Sequence, residues 1–218
     1  MALPATDSFT NTSGDSWYLG DANFPSWTDL TGGSTLVVTA AGDQVFPNKS
    51  GATSLAYWNA DSFSADHYSK LTITGAYGSN YGCIGPAVCV QSGAASGYAY
   101  LVGGDESSTQ RAAVVKLTAG SVSVLGSWHA APAISTVIKL ERSGNDLKVY
   151  YDDVLQSGLT QTDSTYTTGA AGVAGRFQST VYVGGDDWEG GNVTAATPED
   201  VLLIPRRQLF VSRKIIQH

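Results

Sequence analysis

The stretch that decides the fold is Thr136-Val137-Ile138-Lys139-Leu140-Glu141-Arg142-Ser143-Gly144-Asn145-Asp146-Leu147-Lys148-Val149-Tyr150-Tyr151. Two β-type runs flank its centre, where Gly and Asn supply the positive φ that a tight turn needs. The pattern therefore predicts a β-hairpin. Neither face of the first strand is purely apolar, because alternation divides its residues into two sets: Val137, Lys139 and Glu141, and Ile138, Leu140 and Arg142.

The same period of two recurs along the chain, in short runs bounded by Gly, Ser, Asn and Asp. No segment shows a convincing helical periodicity. Eleven runs predict strands: residues 35–40, 54–59, 68–74, 84–91, 97–102, 111–117, 121–125, 136–142, 146–151, 171–176 and 180–183. Strands at roughly ten-residue spacing predict an all-β sandwich or barrel.

Composition favours one large domain with a distinct end. The 218 residues are 42% hydrophobic and 14% charged, which argues against coiled coils and charged disordered tails. All 19 acidic residues lie at or before Asp200, so eight basic residues leave residues 1–200 with a net charge of −11. The last eighteen residues carry +4. An acidic body argues against nonspecific nucleic-acid binding.

The chain divides into three predicted parts: residues 1–190 form the sandwich, 191–200 a turn-rich linker and 201–218 a docking segment. The last part alternates apolar triplets with basic pairs, and its large apolar side chains should be covered by a partner. Pro205 predicts two extended pieces rather than one strand. The predicted docking residues are Leu202, Leu203, Ile204, Arg206, Arg207, Leu209, Phe210, Val211, Arg213, Lys214, Ile215 and Ile216.

Neither a membrane span nor a secretory signal is expected. No stretch approaches the roughly 20 apolar residues that cross a bilayer, and the first residues lack a basic start followed by an apolar run. Cys83 and Cys89 would lie about 20 Å apart in an extended strand, too far for a disulfide. They are predicted to be core thiols unless Gly85-Pro86 turns the chain back.

Several motifs carry a family likeness. Near the start these are Asp7-Ser8-Phe9, Trp17, Trp27 and the run Tyr57-Trp58-Asn59-Ala60-Asp61-Ser62-Phe63. Later ones are Gly97-Tyr98-Ala99-Tyr100, the central hairpin and Asp186-Asp187-Trp188-Glu189. Residues 7–190 thereby resemble a concanavalin A-like (laminin G-like) jelly roll of the kind found in tailed-phage structural proteins. The resemblance implies an all-β sandwich with an extended C-terminal tail. Asp153 replaces the family's usual Gly, which predicts a looser turn.

The resemblance also raises the question of catalysis, since many members of this fold hydrolyse glycans. Retaining enzymes hold two carboxyl groups about 5–5.5 Å apart, and a Glu-x-Asp-x-Glu run provides them on one strand. This chain has no such run; only Asp187 and Glu189 stand two apart. It also lacks a Gly-x-Ser-x-Gly elbow, and His67 and His129 have no metal-ligand spacing. We predict that the protein is not an enzyme.

Two binding sites are candidates. Asp7 and Asp187 would meet if the first and last strands pair, and their oxygens suit a structural Ca²⁺; the alternative is a solvated acidic turn. No other cofactor is expected. Sugar rings stack on aromatic side chains, and the candidates for glycan binding are Trp58, Tyr98, Tyr100 and Trp128. The alternative for these aromatic residues is packing in the core.

The sequence therefore favours a phage virion protein, either a capsid decoration or a head-appendage protein. It would be made in the host cytoplasm and docked through residues 201–218 onto the major capsid protein or another virion protein, as a homo-oligomer with optional glycan adhesion. The alternative is a non-catalytic carbohydrate-binding module of a phage tail or a secreted bacterial protein. A glycan hydrolase with an unusual carboxylate pattern is the third hypothesis.

Overall fold

The computed structural model describes residues 3–32, 35–39, 42–48, 51–75, 77, 82–104, 110–177 and 183–194. Within these ranges the regular structure is β-strand apart from one 3₁₀ turn, Ser157–Leu159. No helix in them is long and apolar enough to cross a membrane. The strands are β1 (Ala5–Asp7), β2 (Trp17–Tyr18), β3 (Trp27–Asp29), β4 (Leu36–Thr39), β5 (Gln44–Pro47), β6 (Ala52–Trp58), β7 (His67–Gly75), β8 (Cys83–Val90), β9 (Gly97–Gly104), β10 (Gln110–Thr118), β11 (Ser121–Ala130), β12 (Val137–Ser143), β13 (Asp146–Tyr151), β14 (Val154–Leu155), β15 (Gln161–Thr162), β16 (Ala170–Phe177) and β17 (Val183–Asn192).

The strands form two antiparallel sheets. The larger runs β14-β13-β12-β7-β17-β5-β4-β2, with β1 beside β17 and β15 beside β13. The smaller has seven strands in the order β11-β10-β9-β8-β16-β6-β3. Alternate residues from both sheets meet in one core, for example Leu140 and Val149 with Tyr100 and Val114. The predicted all-β sandwich is confirmed.

The β12–β13 hairpin forms where the sequence predicts it. Ser143 pairs with Asp146, and Gly144 has a φ of 62°. Ile138 and Leu140 point into the core, and Arg142 on the same face is 4% exposed. Its Nη1 donates to Ala65 O at 2.9 Å and lies 3.4 Å from Asp66 Oδ1, so the chain between β6 and β7 pairs this buried charge, while its Nε has no hydrogen-bond partner among the described residues.

The opposite face of this hairpin is polar and faces water. Tyr150 Oη donates to Glu141 Oε1 at 3.1 Å, and Lys139 Nζ lies 3.3 Å from Glu141 Oε2. The same Lys139 Nζ stands 3.8 Å from the centroid of the Tyr150 ring. The outer face of the larger sheet is thus a paired, half-buried layer of charge and aromatic rings.

The last strand differs from its prediction. β17 is Val183–Asn192, later than the predicted run at 180–183, of which residues 180–182 lie outside the described residues. It pairs with β7 and with β1, which joins the first strand to the last. The division into sandwich, linker and docking segment stays a prediction, because residues 195–218 lie outside the described residues.

Both cysteines are free thiols on β8. Burial raises the pKa of Cys83 to about 11 and that of Cys89 to about 12. Such thiols remain protonated at neutral pH and react slowly.

Candidate functional site

Three of the four predicted glycan-binding aromatic residues are buried. Tyr98 and Tyr100 are 0% exposed and Trp58 is 5% exposed, because each points from the seven-stranded sheet into the core. Only Trp128 is exposed, at 39%. In this conformation these three rings pack in the core, which is the alternative stated for them, and glycan binding by them stays a prediction. Glycan binding by Trp128 stays a prediction.

Trp58 belongs to a cluster of three tryptophans between the sheets. Its ring centroid lies 5.6 Å from that of Trp27 and 5.3 Å from that of Trp188. Its Nε1 donates to Asp61 Oδ2 at 2.9 Å. A large ring with its polar atom satisfied is typical of core aromatic residues.

Tyr98 joins the core to the segment after β15. Its hydroxyl donates to Asp163 Oδ1 at 2.6 Å and accepts from Tyr166 N at 2.9 Å. Desolvation raises the pKa of Asp163, but hydrogen bonds from Lys116, Thr165 and Tyr98 outweigh it and hold that pKa well below its usual range. The role of Tyr98 in this arrangement is to hold the loop.

Tyr100 lies at the centre of a second network, at the edge of the sandwich. Its hydroxyl contacts His129 Nε2 at 2.8 Å and also the hydroxyl of Tyr151. The rings of Tyr100 and His129 stack at 5.7 Å between centroids. Desolvation lowers the pKa of His129, which favours the neutral ring. With its proton on Nδ1, that ring donates to Ser127 O at 3.2 Å and accepts from Tyr100.

An open cleft of about 420 Å³ lies over this network. The edge strand β11 forms one wall through His129 and Ala130, and Tyr151 with residues 155–159 forms the other. The cleft thus lies between an edge strand of the smaller sheet and β14, an edge strand of the larger one. Its lining combines aromatic and aliphatic surface with an imidazole, an amide and a hydroxyl, the mixture that small polar ligands require.

Exposed large apolar side chains concentrate at this edge. Among the described residues they are Trp128, Val154 and Leu155, exposed by 39%, 64% and 45%. All three belong to β11 or β14, the strands that flank the cleft. Leu155 lines the cleft itself, and Trp128 and Val154 each precede a lining residue along the chain. The cleft therefore offers exposed apolar surface as well as polar groups.

The predicted calcium pair comes together without forming a metal site. Asp7 and Asp187 line one pocket with Glu189, because β1 pairs with β17. Burial raises the pKa of Asp7, whose oxygens accept from Trp27 Nε1 at 2.7 Å and from Phe9 N at 2.8 Å. No group of three or more His, Cys, Asp or Glu among the described residues could hold a metal ion. Calcium binding by Asp7 and Asp187 stays a prediction.

Glu189, the second member of the Asp187–Glu189 pair, is engaged on the outer face of the larger sheet. It accepts a hydrogen bond from Tyr68 Oη at 2.7 Å. Asp187 is exposed and has a φ of 47°, at a bulge in the pairing of β17 with β7. The bulge breaks the strict alternation that would aim both carboxyl groups at one glycosidic bond.

Comparisons with known proteins concern the fold. No family model and no curated protein matches the chain. Among solved structures, carbohydrate-binding module CBM66 from Bacillus subtilis is 24% identical with a TM-score of 0.50, over 78% of this chain and 94% of that one. The exoplasmic/lumenal domain of VIP36, in its Ca²⁺/Man3GlcNAc-bound form, is 14% identical with a TM-score of 0.56, over 85% and 91%.

A GH43 protein, BlXynB from Bacillus licheniformis, is 10% identical with a TM-score of 0.58, over 88% of this chain and 40% of that one. The fold is a concanavalin A-like jelly roll. This confirms the fold part of the predicted resemblance, whereas the comparisons show no link to phage proteins. The similar structures include carbohydrate-binding modules, lectins and glycosidases, so the fold alone leaves the activity open.

Sequence reasoning missed the residues of the cleft, apart from the neighbouring Trp128. Leu155 lies on β14, a two-residue strand whose alternation is too brief to read, and Gln156 and Ser157 lie at the 3₁₀ turn that follows it. Tyr151 ends the correctly predicted strand β13, but its place at the cleft depends on the packing of the two sheets. One signal was available. Val154-Leu155 places two apolar residues directly after the polar turn Asp152-Asp153, which is unusual for a solvent-facing hairpin.

Proposed function

We propose that the sandwich is a non-catalytic glycan-binding module, and that the cleft between β11 and residues 155–159 holds the sugar. The observation that carries the proposal is that one cleft combines the exposed apolar side chain of Leu155 and the ring of Tyr151 with the polar groups of His129, Gln156 and Ser157. Sugars present apolar C–H faces and a rim of hydroxyls, so they need both kinds of surface.

The cleft supplies both. Leu155 and the half-buried ring of Tyr151 offer the apolar contact, while the side chains of Gln156 and Ser157 offer hydrogen bonds. The hydroxyl of Tyr100 contacts both His129 and Tyr151, so this network joins the two walls beneath the cleft. Similar structures with the same fold are a carbohydrate-binding module and a domain bound to Man3GlcNAc, which supports the sugar class without naming the ligand.

The test is a glycan array followed by titration calorimetry with the best ligand. Gly158→Arg fills the cleft at little cost to the fold, because a Cβ at Gly158 meets nothing within 4 Å. We expect affinity to fall at least tenfold. Gly93→Arg is the matched control: its Cβ is equally unobstructed, and it lies in the β8–β9 turn away from the cleft.

Two results would contradict the proposal. One is an array without hits for the wild-type protein; the other is equal affinity in Gly158→Arg and the wild type. An equal loss of affinity in Gly158→Arg and Gly93→Arg would also contradict binding in the cleft. Such a loss would reflect the added positive charge rather than the position of the substitution.

The non-catalytic part has a separate test. Incubation with a polysaccharide panel should release no reducing sugar. Release that disappears in Asp187→Asn and Glu189→Gln would instead support the hydrolase hypothesis.

A virion role remains a prediction that neither the comparisons nor the described residues support. It is compatible with glycan adhesion. Its distinguishing feature is docking through residues 201–218, which lie outside the described residues.

A further inference from the structure

The outer face of the seven-stranded sheet carries a second apolar cluster, separate from the core between the sheets. Its members are at most 1% exposed, and they occupy the outward positions of β6, β8, β9, β10 and β16: Leu55, Ala87, Val90, Ala99, Leu101, Ala113, Val115, Leu117 and Ala174. The outer face of the larger sheet is charged, as expected for a face in contact with water. The smaller sheet is therefore built with two apolar faces.

This second face is a trough. A groove of about 690 Å³ is lined by Leu30 and Thr31 beyond β3 and by residues 119–122 at the β10–β11 turn, together with Arg176 on β16. Since β3 and β11 are opposite edges of the sheet, the groove reaches across it. We call it the outer groove, and we call the neighbouring apolar cluster its floor, because Leu30, Ala95 and Val122 line the groove and also pack against the cluster.

The described hydrophobic residues do not form a second layer above this floor. The partly buried ones packed against it lie on the same sheet or in the turns at its rim: Leu30, Tyr57, Cys83, Ala95, Val122 and Val124. The aliphatic floor side chains have no hydrogen-bonding groups, so a sugar bound there would lose its bonds to water without replacement. An apolar peptide segment suits the floor better.

Residues 201–218 have the matching chemistry and reach. Their large apolar side chains come in short groups separated by basic residues: Leu202, Leu203, Ile204, Leu209, Phe210, Val211, Ile215 and Ile216. The described chain ends at Thr194, so 24 residues follow, enough to extend about 80 Å. A 190-residue domain has a radius of gyration of about 16 Å, and the segment can pass around it.

Charge favours the same arrangement. Residues 1–200 carry −11 and residues 201–218 carry +4, so the segment is attracted to the body from which it extends. Attachment to the same chain also raises its effective concentration at the groove above that of a separate partner.

We propose that residues 201–218 occupy the outer groove of their own chain, with the apolar groups on the floor and the basic residues toward the rim. The segment then completes a third layer of the sandwich. This inference does not depend on glycan binding, since the cleft has different lining residues.

The test uses the full chain with a nitroxide spin label on Ser212→Cys. Every labelled chain also carries Cys83→Ser, because the half-buried Cys83 packs against the floor and a label there would broaden the same resonances. The other native thiol, Cys89, is 0% exposed. The readout is the ¹H–¹⁵N NMR spectrum, compared with that of the same chain carrying a diamagnetic label. We expect the amide resonances of Leu101 and Val115 to lose at least half their intensity when the label is the nitroxide. Those of Lys139 and Lys148, on the outer side of the other sheet, should keep theirs.

Two controls decide between occupants. Phe210→Asp in the labelled chain should restore the lost intensity, whereas unchanged broadening would contradict apolar docking. Mixing spin-labelled chains that lack ¹⁵N with ¹⁵N chains that lack the label should leave the floor resonances unchanged. Broadening that appears in this mixture would show a second copy in the groove and overturn the proposal, as would broadening of neither face or of both.

Discussion

His67 shows how one buried polar side chain ties two sheets together. It is 0% exposed on β7, and its Nε2 accepts from Cys89 N at 3.0 Å on β8 of the other sheet. Its Nδ1 lies 2.8 Å from Ser64 O, to which it donates. The ring must therefore be neutral, because a protonated Nε2 could not accept from Cys89.

The stability of the protein should consequently fall in mild acid. Desolvation lowers the pKa of His67 in the folded state, so below pH 6.5 the unfolded chain takes the proton first. The stabilisation is complete above the unfolded pKa and is lost as pH falls toward the folded one. The slope approaches about 1.4 kcal/mol per pH unit for one proton.

The measurement is urea denaturation between pH 7.5 and 5 for the wild type and His67→Gln. The variant's free energy of unfolding should be lower at pH 7.5, because the hydrogen bonds of His67 to Cys89 and Ser64 are disturbed. It should also depend less on pH, because Gln does not titrate. His129→Gln is the control for the other lowered histidine pKa. Parallel pH profiles for the wild type and His67→Gln would show that another group causes the acid loss.

At the scale of elements, the β13–β14 hairpin positions the cleft. Its turn residues Asp152 and Asp153 have φ values of 48° and 62°, typical of the tight turn that matches strand twist. The departure from the family's Gly is thus accommodated in a paired hairpin, and the looser turn stays a prediction. The conformation is strained, since left-handed backbone favours Gly.

The two turn residues should respond differently to replacement by Gly. Asp152 Oδ1 accepts from Val137 N at 3.0 Å, whereas Asp153 makes only a surface pair with Lys70 at 3.2 Å. Asp153→Gly relieves strain at small electrostatic cost and should stabilise the fold by roughly 0.5–1 kcal/mol. Asp152→Gly should gain less or destabilise. Thermal unfolding measures both, and a lower Tm for Asp153→Gly than for Asp152→Gly would contradict this assignment.

The same hairpins show what sequence patterns can and cannot predict. Long runs such as 136–142 and 146–151 alternate for several residues, and the strands they predict are present. β2 and β14 have two residues each, too few to show a period. β17 contains four glycines, which have no side chain and therefore show no alternation of apolar and polar residues. At these positions pairing with neighbouring strands, rather than local pattern, makes the strand.

At the scale of the whole molecule, the site was harder to predict than the fold. Aromatic side chains suit a sugar site and a core equally well, and burial of Trp58 and Tyr100 depends on the packing of both sheets. The cleft lies between β11 and residues 155–159. These segments come together only when the two sheets pack face to face, which brings an edge of one sheet beside an edge of the other. No local pattern encodes such a meeting.

The two sheets differ in their outer faces, which are apolar on the smaller sheet and charged on the larger one. This difference predicts how the chain behaves without its C-terminal segment. A chain ending at Thr194 keeps every described strand, including the closing pair of β1 with β17, so it should retain a β-sheet circular dichroism spectrum and cooperative unfolding. Its outer groove would lose the proposed cover, and returning these aliphatic side chains to water costs roughly several kcal/mol. We therefore expect stronger 8-anilinonaphthalene-1-sulfonate fluorescence, a lower Tm and self-association in light scattering.

A chain ending at Asp200 is the matched control, because it keeps the linker and lacks only residues 201–218. The two truncated chains should behave alike if the docking segment supplies the cover. If both truncated chains keep the dye binding, Tm and mass of the full-length protein, the prediction is wrong. An apolar face of this size does not stay monomeric in water unless something shields it, so the shield would then be a part of the chain other than residues 195–218. Recovery in the longer chain alone would assign the cover to residues 195–200.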